Sequence, residues 1–257
     1  MPTTRTMPQS YYYSGQGRLL IGDRDENGNG YNFVHVGNVT ALSAEIAIEK
    51  FEHKESMSGA RAIDKTIIKE KKATVKFTCE SLSLENLALG LFGESTTVAG
   101  STVADEAHKF TAGGAIALKY ANVSAVTVQT GAELGAATTV DASNYTVDAE
   151  FGTIHPVDNG AFTGDNVYVS YTYGTAKKLD VFTKSFPDEK FLRFEGLNTV
   201  NDDLVLINMP RVTIDPLPGL QLINEELANV EFTGNVLLDP TISSGSQFMT
   251  QQIITPA

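Results

Sequence analysis

The sequence predicts a mostly β fold, a β-sandwich or partial barrel with one short helix docked on its sheet and a β-rich segment inserted into it. Three observations lead there. Apolar and polar residues alternate with period two in segment after segment, one stretch has the three-and-four spacing of a helix, and Gly, Asn, Asp and Ser punctuate the segments closely. With 257 residues, 42% hydrophobic and 19% charged, the chain can bury a substantial core and has an ordinary globular composition. It divides into an N-terminal arm with a first short strand (1–30), a core hairpin with a long loop and helix (31–93), an inserted β-rich subdomain (94–178), and the remaining core strands with a C-terminal tail (179–257).

In chain order, residues 1–17 read as a mobile arm and Leu19, Leu20 and Ile21 as a short strand. The start has no continuous apolar run of signal-peptide type, and no stretch approaches the roughly 20 apolar residues of a membrane-spanning helix. Asp23, Arg24, Asp25, Glu26, Asn27 and Gly28 match the first half of a calcium loop, but Val34 stands where the bidentate Glu belongs. An Asx-rich turn is therefore expected, and no metal site.

From Leu42 the apolar residues Leu42, Ala44, Ile46 and Ile48 alternate with Ser43, Glu45 and Glu49, the pattern of a strand with one buried face. Ala73, Val75, Phe77 and Cys79 repeat it against Lys72, Thr74, Lys76, Thr78 and Glu80. Between these strands Glu52 to Asp64 is too long for a tight turn and is expected to project beyond the sheet. Ser81 or Ser83 then caps a helix of about ten residues, marginal alone in water, whose Leu84, Leu87, Ala88, Leu91 and Phe92 share a face and which Gly93 ends as a left-handed cap.

Residues 94–104, rich in Ser, Thr, Gly and Ala, read as a linker. Beyond them come short strand signals around Ile116, Leu118 and Tyr120, then Val123, Val126 and Val128, then Tyr145, Val147 and Phe151, then Ile154 and Val157, and finally Val167 to Tyr173. From Leu179 the core resumes, with strands at Phe191 to Phe194 and Leu204 to Asn208 joined by the turn-rich Asn198 to Asp203. Arg211 to Ile214 is expected as a further strand between Pro210 and Pro216. Val230, Phe232, Val236 and Leu238 mark the last, its phase interrupted at Gly234. The tail from Thr241 is expected either to pair with a neighbour's sheet edge or to be disordered.

Little in the chain speaks for catalysis. Cys79, the one cysteine, lies on the apolar phase of a strand and reads as a small buried hydrophobe. His35, His53, His108 and His155 sit in no nucleophile elbow, zinc motif or phosphate loop, and His108 and His155 read as ordinary surface histidines. Asp202 and Asp203 are adjacent, hence on opposite faces of an extended chain. No catalytic residue, cofactor or metal ligand is assigned, and an enzyme ranks behind the structural readings.

The net charge of −12 is uneven. Residues 1–93 hold 11 acidic and 11 basic residues, residues 94–178 hold 9 and 4, and residues 179–257 hold 11 and 4. In the neutral first third Lys65, Lys69, Lys71, Lys72 and Lys76 face Glu45, Glu49, Glu52 and Glu55, which suggests charge pairing across strands or between subunits. The acidic remainder makes a poor direct DNA binder, since phosphate contacts need clustered Lys and Arg.

Val36 to Leu42 at the first strand, Ser58 to Arg61 in the loop and Ser83 to Leu89 in the helix together resemble the major tail tube protein of long-tailed (siphovirus-type) bacteriophages. The likeness continues more loosely through residues 179–240. It implies six subunits per ring, rings stacked into a tube within the virion, and an inner barrel through which DNA passes without specific binding. Implied partners are further copies of the chain, a tape measure protein, and tail-tip and tail-terminator proteins, with no membrane. On this resemblance the lumen candidates are Ser43, Glu45, Glu49, Thr74, Lys76, Thr78 and Glu80, whose mixed sign departs from an acidic channel lining. The candidates for the loop reaching the next ring are His53, Lys54, Glu55, Ser56, Met57, Ser58, Gly59, Ala60 and Arg61. Another β-rich surface protein, of phage decoration, fibre or surface-layer type and binding a partner or glycan, is the alternative.

Overall fold

A computed structural model describes residues 12–225 and 227–254. In chain order the strands are β1 (Gly15–Arg24), β2 (Gly30–His35), β3 (Val39–Lys54) and β4 (Ile63–Cys79), followed by α1 (Leu84–Gly90). Next come β5 (Glu94–Val98), β6 (Ser101–Lys109), β7 (Ile116–Ala117), β8 (Val123–Gly131), β9 (Thr138–Thr139), β10 (Tyr145–Asp148), β11 (Thr153–Pro156), β12 (Asn166–Tyr173) and β13 (Ala176–Asp180). The last are β14 (Glu189–Asn198), β15 (Asp203–Ile214), β16 (Val230–Val236) and β17 (Thr250–Ile254). The fold is mostly β, with several sheets and this single α-helix among the described residues. The chain forms two compact units, one of residues 1–94 with 180–257, the other Ser95–Leu179.

The first unit is one sheet in the order β2-β1-β14-β15-β16-β4-β3, with β17 added beside β15. It curls on itself, so that Leu19 from one end and Val75, Phe77 and Cys79 from the other share a core with Leu192, Met209, Val212, Ile214 and Phe232. The rings of Phe77 and Phe232 stack there, 4.9 Å between centroids. The curl stops short of a closed barrel, leaving a cleft of about 660 Å³ between the Gly15–Leu19 half of β1 and the start of β3. Gly17 opposes Gly196 across β1 and β14, where a Cβ on Gly17 would lie 2.4 Å from the Glu195 carbonyl, so the strands meet closely only as glycines.

Helix α1 is shorter than its pattern suggests. Ser83 Oγ accepts from Asn86 N at 3.1 Å, and Asn86 Nδ2 donates to the carbonyls of Val36 and Ser81, fastening the helix to the turn between β2 and β3. It ends at Gly90, and the left-handed residue beyond is Phe92 (φ 50°) rather than Gly93. Gly90 is buried, and an added Cβ there would lie 2.5 Å from Leu217 Cγ, which leaves room for glycine.

Several expectations are corrected. The arm expected over 1–17 falls partly outside the described residues; within them 15–17 open β1, and Asn198 Oδ1 accepts from Ser14 N while its Nδ2 donates to the Tyr12 carbonyl. The expected linker at 94–104 is instead two strands, β5 paired with β13 and β6 with β12, because β-branched Thr and Val suit a ladder even in a polar run. The two strands expected at 204–208 and 211–214 are one, β15, with Pro210 at a register shift where the partner changes from β17 to β16. The phase of β16 runs unbroken: Gly234 points inward with Val230, Phe232 and Val236 and is glycine because a Cβ would meet the Thr213 carbonyl at 2.9 Å. The tail pairs within its own sheet, Leu204 to Asn208 opposite Thr250 to Ile254.

The second unit is a small sandwich with its own core. One sheet runs β6-β12-β8-β9, the other β10-β11-β7, and Ile116, Tyr145 and Ile154 from one pack with Val128, Val167 and Val169 from the other. His155 is exposed, as expected, but His108 is not the surface residue expected. Its side chain is 17% accessible, with Nε2 2.8 Å from Glu106 Oε1, and the other Glu106 oxygen accepts from Tyr171 OH. Burial first, then this carboxylate, pushes the Tyr171 phenol well above its ordinary range.

Candidate assembly surface

The β3–β4 hairpin is longer than its alternation predicts. Pairing continues from Val39 opposite Cys79 out to Lys54 opposite Ile63, and the loop shrinks from 52–64 to 55–62. Of the loop candidates, His53 and Lys54 are therefore strand residues, His53 Nδ1 lying 2.6 Å from Asp64 Oδ1. Glu55 to Arg61 form a hydrogen-bonded tip. Glu55 N donates to the Ala62 carbonyl at 2.8 Å, and the Glu55 carboxylate accepts from Ser58 Oγ and from the amides of Met57 and Ser58. The Ser58 hydroxyl, then these amides, hold the Glu55 carboxyl below its usual range. Ser56, Met57, Gly59, Ala60 and Arg61 are exposed around it, with Gly59 (φ 78°) and Arg61 (φ 51°) in left-handed geometry.

The expected buried face of β3 is buried only near its base. Leu42 packs on the core, but Ala44 is exposed and Ile46 and Ile48 are 71% and 47% accessible, because the hairpin runs past the sheet that would cover them. A register shift between Glu49 and Lys50 marks an extra residue in β4. Strand β3 itself alternates without a break, so Phe51 lies on the face opposite Ile46 and Ile48. It faces Ile67, and both are about half exposed. The outer hairpin thus carries exposed apolar side chains on both faces, among charged ones. Sequence reading missed Phe51, Ile67 and Ile68; the signal was the adjacent Ile67-Ile68 pair, which no single strand phase accommodates.

Most lumen candidates fall together on the face turned away from the core. Ser43 opposes Lys76, Glu45 opposes Thr74, and Lys76 Nζ bonds Glu45 Oε1 at 3.0 Å, so the lysine is neutralised by a neighbouring glutamate. Thr78 and Lys76 meet Glu231 and Thr233 of β16 on their other side. Glu49 lies further out on the hairpin, opposite Glu70 rather than a lysine, while Glu80 lies past the end of β4 and accepts from Asn38 Nδ2 at 2.6 Å. The same face continues across the sheet to a chain the sequence does not reveal, in which Glu195 accepts from Arg193 Nε at 2.8 Å and Arg18 Nε at 2.9 Å. The Arg193 hydrogen bond, with Arg18 beside it, keeps the Glu195 carboxyl below its ordinary range.

The turn after β1 is closed by its own side chains. Asp25 accepts from the amides of Asn27 and Asn29. No cluster of three or more His, Cys, Asp or Glu suited to a metal occurs among the described residues, and none of their helices is long and apolar enough to cross a membrane. Cys79 is buried, its thiol donating to the Val36 carbonyl at 3.1 Å, and burial raises its pKa. No curated protein matches the chain. A family model described as "Protein of unknown function UCP028589" matches residues 12–252, and the chain belongs to that family.

Proposed function

We propose that this protein is a structural subunit that self-assembles into stacked hexameric rings, the tail tube of a long-tailed phage, through which DNA is ejected. The observation that carries this reading is the projecting hairpin, whose apolar side chains on both faces stay about half exposed or more among the described residues. A two-stranded arm exposed in this way is marginal in water, and contiguous apolar surface of this kind marks an interaction site. Glu49 facing Glu70 would repel in an isolated subunit and calls for a cation from a neighbour. The free edges β2 and β3 offer unpaired backbone for ring closure. Tape measure, tail-tip and terminator proteins are the further partners this reading carries, and the virion is its location.

Negative-stain electron microscopy of the purified protein, fresh and after concentration, tests it: hollow tubes or stacked rings are expected. Persistent compact monomers would favour instead a monomeric β-rich surface protein, a reading for which the separately cored second unit speaks. If the polar face of β3 and β4 lines the channel, Glu45→Lys with Glu49→Lys leaves tubes intact and slows DNA ejection, because added cations attract phosphate. Unchanged ejection kinetics would remove these residues from the lumen.

A further inference from the structure

Directly paired residues of β1, β14, β15 and β17 set out one outer face of the first unit in rows. Leu197, Leu204 and Ile254 form an apolar row, and Arg18, Glu195 and Leu206 form the next. They line a depression of about 560 Å³ in which Leu204 and Ile254 stay 44% and 45% accessible. This one sheet is its only wall, whereas a small-molecule site buries roughly 70–90% of its ligand, so the face suits another protein surface. Arg18 and Arg193 share the single carboxylate of Glu195, at 2.9 and 2.8 Å, which leaves one positive charge in excess at its border.

The outer hairpin carries the matching order on the face away from Ile46 and Ile48. Phe51 opposes Ile67, and one row nearer the base Glu49 opposes Glu70, neither glutamate ion-paired among the described residues. On β3 as on β14, two residues separate the apolar row from the charged one, about 7 Å. Beyond each apolar row the sign reverses: Lys65 lies one row past Ile67, and Asp202 lies in the turn joining β14 to β15, both exposed. The depression thus reads positive, apolar, negative, and the hairpin negative, apolar, positive. Leu19 of β1 and Val75 of β4 share a core, so the outer faces of their two walls point in opposite directions and meet only between copies.

We propose that the Phe51 and Ile67 face of the hairpin docks on this β1, β14 and β15 face of a second copy, apolar row on apolar row and the paired glutamates against Arg18 and Arg193. The inference rests on the self-assembly reading and names a contact that makes it. Because the two surfaces are different parts of one chain, the contact is heterologous, and repeating it generates a ring or a filament. The apolar row is the anchor, and the charges at its rim set rate and register. A single reversal at the rim weakens assembly by about 1.5- to 5-fold without preventing it.

The test mixes two variants, Ile67→Cys and Leu204→Cys, under mild oxidation, with non-reducing electrophoresis as the readout. The native Cys79 is buried, and wild type gives the background. A covalent dimer is expected in the mixture and not in either variant alone. Arg18→Glu added to the Leu204→Cys variant is expected to reduce cross-linking by about fivefold, and Glu49→Arg with Glu70→Arg in the Ile67→Cys variant to restore it. Arg18 is 64% accessible and Arg193 still holds Glu195, so the fold is retained. No dimer in the mixture, a dimer in Ile67→Cys alone, as when the hairpin pairs with itself, or no rescue by the charge swap would overturn the proposal. Cross-linked dimers without tubes would sink the tail tube reading and leave this contact standing, whereas tubes without cross-links would do the reverse.

Discussion

Phe51→Glu with Ile67→Glu is expected to abolish polymerisation and leave the subunit folded. The two side chains face each other on the side of the hairpin away from Ile46 and Ile48 and are 45% and 47% accessible. Burying such a side chain fully contributes about 1.5–3 kcal/mol. Covering their exposed halves is therefore worth about 2 kcal/mol per contact, or roughly thirty-fold in association constant. Introduced carboxylates add an unpaired charge to a dry interface, and a closed ring multiplies the loss over every subunit. The folded monomer loses little, since surface substitutions away from special features stay within about 0.5 kcal/mol. Sedimentation velocity reads assembly and urea unfolding reads stability. Assembly at unchanged concentration would show that this face of the arm is not a contact.

The second large effect is on stability. Asp239, whose side chain is wholly inaccessible, accepts from Arg24 Nη2 at 2.7 Å and from the Thr241 amide and hydroxyl. Arg24 also lies 3.6 Å from Glu189, which Arg211 holds through two hydrogen bonds. The network ties the end of β1, the start of β14, the middle of β15 and the segment after β16. Asp239→Ala strands a guanidinium that is 13% accessible, and breaking a buried pair from one side costs about 3–5 kcal/mol. The low end, about 3 kcal/mol, is expected because Arg24 keeps its longer contact to Glu189; for a chain of this size that is roughly 6–12 °C in Tm. Burial raises the Asp239 pKa, but the Thr241 and Arg24 hydrogen bonds outweigh it and the net shift is downward. The Arg211 hydrogen bond lowers that of Glu189. Folded carboxylates with depressed pKa values stabilise fully above their unfolded values, near 3.9 for Asp and 4.3 for Glu. That stability is lost as pH falls through the folded ones. Wild type should therefore lose stability steeply below about pH 4, and Asp239→Ala more gently. Parallel pH profiles would show that the network does not govern acid unfolding.

The sequence by itself determined the β class, the helix and its cap to one of two serines, Ser81 or Ser83, the buried phase of Val75, Phe77 and Cys79, and the turn at Asp25, because each follows from local alternation or local hydrogen bonding, and the structure chose Ser83. The Lys76–Glu45 pair was legible for the same reason, both residues lying on the polar phase of one hairpin. Only the tertiary structure decided which apolar residues are covered. Ile46 and Ile48 carry the same pattern as Leu42 yet lie beyond the edge of the sheet, and alternation records a residue's phase but not whether anything packs on it. The extra residue in β4 put Ile67 on the opposite face, across from Phe51, a shift set by pairing with the neighbouring strand. Arg24 with Asp239, Arg18 with Glu195, and the return of β17 to β15 join residues far apart along the chain, and no local periodicity encodes which distant strands become neighbours.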